Sequence, residues 1–166
     1  MDSPNENLLS MVPPAPLAII RKKLFAWDDE KFGVVLVETL KMISLSLWCE
    51  ETFLPCSEDI DAMWHELILE TRCYRELCEK VRKGKFLDHT GMTYLDYQKQ
   101  IPAETLHASQ LSILGSYAKN FGAFTAESVD YWVFAREIME KTGWNLETFN
   151  SFCRSLATKG LVQHEE

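Results

Sequence analysis

His65 and Asp61 are the residues of this 166-residue chain whose spacing first suggests chemistry. They stand four residues apart, which on a helix puts them about 40° apart on one surface, within reach of each other. An imidazole oriented by a carboxylate can bind a metal ion or move a proton. Cys78 and His89 follow, so Asp61, His65, Cys78 and His89 form a candidate donor set for a metal-binding protein or a metal-dependent enzyme.

The element that must position these residues runs from Ser57 towards Gly84. Ile60, Trp64, Leu67, Thr71, Tyr74, Cys78 and Val81 recur at steps of three and four, the seam of one helix face. Ser57 is a good N-cap, Glu58, Asp59 and Asp61 suit the first turn, and Lys80, Arg82 and Lys83 suit the last. Gly84 suits the left-handed residue beyond the end.

A single helix of this length argues against the metal set. His65 and Cys78 would sit about 220° apart around it, on opposite sides. Lys83 would lie about 27 Å from His65, whereas the six residues to His89 span about 20 Å at most. The imidazoles could meet only through a stretched connection or an earlier helix break. The expectation is therefore structural: Asp61, Trp64, His65, Tyr74 and Cys78 as packing and motif residues, with His65 buried beside Trp64. No catalytic residue and no cofactor are expected, and His65, His89 and Asp61 stay as the metal alternative.

A net charge of −8 counts against a general nucleic-acid or anionic-membrane surface. Basic residues gather at Lys80, Arg82, Lys83 and Lys85, where a helix C-terminus explains them. The odd count of five cysteines, without a C-x-x-C pair, suits a reducing compartment. No basic region followed by an apolar run opens the sequence, and no apolar segment approaches the roughly 20 residues of a membrane span. These readings point to a cytoplasmic protein without membrane contact.

The periodicities predict an all-α fold, a single compact bundle-like domain of five to seven helices around a long central helix. Residues 1–16, with Pro4, Pro13, Pro14 and Pro16, read as a flexible tail; 17–158 read as the domain and 159–166 as a second tail. Helices are expected over Leu17–Ala26, from an Asp28 cap to about Glu51, from Ser57, over Leu106–Phe121, from Thr125 to Gly143, and after Asn145. Lys85 to Glu104 reads as irregular chain packed across the surface.

No Gly-rich phosphate loop, nucleophile elbow, H-E-x-x-H or paired-cysteine zinc pattern occurs. One signature does: D-x-x-W-H-x-x-I-L-x-T-x-x-Y-x-x-x-C, at Asp61, Trp64, His65, Ile68, Leu69, Thr71, Tyr74 and Cys78, with Gly84 and His89 after it. This resembles the glycine-rich domain-containing protein-like family, in its small stand-alone bacterial or phage type. The resemblance covers Ile20 to Trp132 and includes Tyr117 to Thr125. Where family members often carry a double histidine, this chain has Asp88 before His89. The resemblance brings no activity with it.

Two functions follow as expectations. One is a non-catalytic helical module that binds a protein partner, for instance as an inhibitor or accessory subunit of a larger complex. Its support is the lack of catalytic motifs together with five tryptophans, five tyrosines and nine phenylalanines. The other is the metal protein on Asp61, His65, Cys78 or His89.

Overall fold

The computed structural model describes residues 4–49, 54, 56–89 and 99–159. Among them the fold is all-α, with nine helices. They are α1 (Pro4–Leu9), α2 (Pro14–Lys23), α3 (Asp29–Cys49), α4 (Glu58–Leu69), α5 (Thr71–Val81), α6 (Ala103–Phe121), α7 (Ala126–Val129), α8 (Val133–Thr142) and α9 (Leu146–Lys159). The number exceeds five to seven because the segment from Ser57 is two helices, the segment from Thr125 is two, and α1 lies in the expected tail. Their contacts form two compact units, residues 1–50 with 56–87, and 51–55 with 88–166.

In the first unit the most enclosed element is α3, not the segment from Ser57. Val35, Leu36, Leu40, Met42, Ile43, Leu45 and Leu47 are all buried, so the helix is apolar on nearly every side. Its polar residues are satisfied locally: Thr39 and Ser44 donate to the carbonyls of Val35 (2.7 Å) and Leu40 (2.8 Å), and Lys41 pairs with Glu38 at 2.8 Å. Among the described residues, α3 is the one helix long and apolar enough to cross a membrane, and 67% of that stretch is buried within the protein. Arg82 reaches from beyond α5 to the last turn of α3, donating to Leu47 O (2.7 Å) and Trp48 O (3.3 Å). Those carbonyls have no partner within the helix, so a cation closes the end of α3. Lys80 is spent on Met11 O at 3.1 Å, so two of the clustered basic residues serve the fold.

The expected flexible tail needs correction over its described part. Pro4–Leu9 is helical, and Leu8 and Val12 are buried. Two well-placed aliphatic residues suffice to dock a short segment, and they are too few to register as periodicity. Of the C-terminal tail, 160–166 lie outside the described residues, and Lys159 ends α9. The surface packing expected of Lys85 to Glu104 falls largely on 90–98, also outside them.

The second unit has an aromatic core. Tyr117 stacks on Phe124 with ring centroids 3.8 Å apart, and Trp132, Phe134 and Phe149 close around them edge to face or tilted. Buried Asn150 on α9 grips the Phe124 backbone twice, accepting from its N–H at 2.8 Å and donating to its carbonyl at 2.9 Å. α6 and α9 approach closely at Gly115, where a Cβ would stand 3.1 Å from the Leu156 backbone.

A candidate metal centre

Ser57 caps α4 by accepting from Ile60 N–H at 3.3 Å, and Glu58, Asp59 and Asp61 occupy the first turn, as the spacing predicts. The buried edge of α4 is Ile60, Met63 and Leu67. His65 is about 200° from both Met63 and Leu67, which turns it outward. The expectation that His65 is buried beside Trp64 is therefore corrected: its side chain is 50% exposed, and Trp64 is half-buried. Its relation to Asp61 holds. Nδ1 lies 2.8 Å from the Asp61 carbonyl oxygen and 3.3 Å from its carboxylate. With the Nδ1 proton on that carbonyl, the lone pair of the ring sits on Nε2.

The helix does not run on to Lys83. It breaks at Glu70 (φ −82°, ψ 59°), and α5 restarts with Tyr74 N–H on the Glu70 carbonyl at 2.9 Å. Periodicity cannot see this, because Leu67 and Tyr74 are seven residues apart and a seven-residue step nearly restores the phase. After α5 the Arg82 backbone is extended, and Gly84 takes a left-handed φ of 73°. There glycine does two things: it reverses the chain without a Cβ clash, and its N–H donates to Glu79 Oε2 at 2.9 Å.

From Gly84 the chain runs back along α5. Tyr74, fully buried, fastens it: its ring meets Phe86 edge-on at 5.4 Å, and its hydroxyl donates to Leu87 O at 2.8 Å. The same hydroxyl accepts from Trp64 Nε1–H at 2.9 Å.

Asp61 and His65 are the candidate donors that the first unit brings together, whereas His89 belongs to the second unit. Cys78 is not brought to this cluster; it is wholly buried on α5. Cys56, which the spacing did not single out, feels the cluster's charge: burial, then the Asp61 carboxylate, push its thiol up to about 12. The role of the Tyr74 hydroxyl was also missed, since its partners are an indole and a backbone carbonyl, and no side-chain pattern reports a carbonyl.

No protein-family model, curated protein or solved structure matches this chain.

Proposed function

We propose that this protein is a helical module that binds a protein partner. The observation that carries the reading is the exposure of large apolar side chains in the first unit, Phe25 at 81% and Leu69 at 63%. A partner captured from the native host should be lost by the double substitution Phe25→Ser, Leu69→Ser, and capture that survives both changes would overturn this surface as its cause.

A second reading, a metal-binding protein, draws on the Asp61–His65 pair of α4, with Nδ1 3.3 Å from the carboxylate. Cobalt(II) titration of the metal-stripped protein should then give visible ligand-field bands saturating at one equivalent and lost in His65→Ala. Bands unchanged in that variant would remove the pair as their source.

A further inference from the structure

The cations of the first unit are held in two ways. Arg21, Lys23, Lys31 and Arg72 each meet a carboxylate, at 2.8, 2.7, 2.8 and 3.4 Å, so their charges are balanced within the chain. At the end of α5 the balance is different. Residues 79–86 carry Lys80, Arg82, Lys83 and Lys85 against Glu79 alone, in a chain of net charge −8. Glu79 accepts from Gly84 N–H at 2.9 Å, and Lys80 donates to the Met11 carbonyl at 3.1 Å, which holds the side chain without neutralising it. Lys83 and Lys85 stand exposed on either side of Gly84.

Two aromatic side chains border these cations. Phe86 is 51% exposed and meets Tyr74 edge-on; Trp48 is 41% exposed, and its indole N–H reaches the Val81 carbonyl at 3.4 Å. Tyr74 and Val81 are about 10 Å apart along α5, a distance that about three extended residues span. Exposed aromatic rings beside cations are the usual anchors and steering charges of a protein interface.

From this arrangement we infer that the end of α5 docks a short acidic segment of a partner protein. Its carboxylates meet Lys83 and Lys85, and its apolar side chains cover Phe86 and Trp48. Every residue named lies in the first unit. Neither Phe25 nor Leu69 takes part, so this surface stands or falls apart from the one proposed above. Nucleic acid also offers anions and stacking bases, but its phosphates run on beyond the patch and meet the field of an acidic chain. A short peptide presents its charge at the patch alone.

Fluorescence anisotropy with the full chain tests this. The probe is a fluorescein-labelled peptide of Glu and Asp carrying two leucines three residues apart. The parent should bind it, and more weakly as salt is raised towards about 0.5 M. The double substitution Lys83→Glu, Lys85→Glu should weaken binding by about tenfold or more, and Phe86→Ser by about tenfold. Circular dichroism checks each fold, and the lysine variant, at exposed positions, remains readable if Phe86→Ser unfolds. No binding by the parent, or binding that survives the lysine reversals, overturns the inference. Binding lost in Phe25→Ser, Leu69→Ser moves the peptide to that other surface and overturns it too. Oligothymidylate bound as tightly as the peptide would make the patch a nucleic-acid site instead.

Discussion

His65 and Trp64 are neighbours with opposite expected responses to substitution, because α4 turns one out and holds the other part-way in. The His65 side chain is 50% exposed and its contact is to a carboxylate 48% exposed. Exposed pairs of this kind contribute about 0–1 kcal/mol, so His65→Ala should unfold in urea within about 0.5 kcal/mol of the parent. Trp64→Ala loses half-buried ring surface and the indole N–H donated to the Tyr74 hydroxyl, and should cost about 2–3 kcal/mol, below the range for a fully buried tryptophan. A loss of more than 2 kcal/mol in His65→Ala would show that the histidine supports the fold. Cys56 and Cys153 give a pH dependence. Both thiols are raised from 9.0 to about 12, chiefly by burial. Their stabilisation is complete below the unfolded-state value of 9.0 and is lost as pH rises towards about 12, because the unfolded chain releases those protons first. Urea midpoints should therefore fall between pH 8.5 and 10.5 (roughly the onset of that window), and Cys153→Ala should shallow the fall. An identical slope in that variant would remove the buried thiol as its source.

Two elements depend on a close approach that one residue permits. α9 passes over α6 at Gly115, where an added Cβ would meet backbone atoms of Leu156 and Ala157 at 3.1–3.2 Å. Backbone cannot swing aside as a flexible side chain does. Gly115→Leu gains about 1 kcal/mol of helix propensity, and a side chain of that size overpacks the interface at a cost of about 1–3 kcal/mol or more. The clash should win, giving a net loss by chemical denaturation; a variant more stable than the parent would show that α9 shifts without penalty. The break between α4 and α5 acts at the same scale. It shortens the path the chain must cover, so that the return from Gly84 ends beside α4 and not short of it.

Across the whole molecule, the sharpest difference from the sequence reading is the N-terminal segment. Leu8 and Val12 are buried against the first unit, and Lys80 holds the Met11 carbonyl at 3.1 Å. Removing residues before Pro13 should thus lower the melting temperature, by about 2–4 °C for each kcal/mol of burial lost. Deletion without a change in melting would restore the segment to a flexible tail. Each unit carries its own core, aliphatic around α3 and aromatic around Tyr117 and Phe124. Either patch is apolar enough to exclude water by itself, and composition averaged over 166 residues conceals the division.

Helical class, most caps and most stops were legible because they are local. Asp28, Ser57, Thr125 and Asn145 each accept from a backbone N–H three residues on, as their types predict. Gly122 and Gly143 end their helices at positive φ for the reason glycine usually does. The Asp61–His65 pairing was legible too, since four residues on a helix make neighbours of any two side chains. The return of the chain onto Tyr74 was not. It depends on a break at Glu70 that leaves the hydrophobic phase intact, and on a hydrogen bond to the Leu87 carbonyl, a group every residue carries. Sequence by itself determined which residues could pair along a helix; tertiary structure decided which segments of the first unit meet, because the bonds that bring them together run through backbone atoms that have no letter.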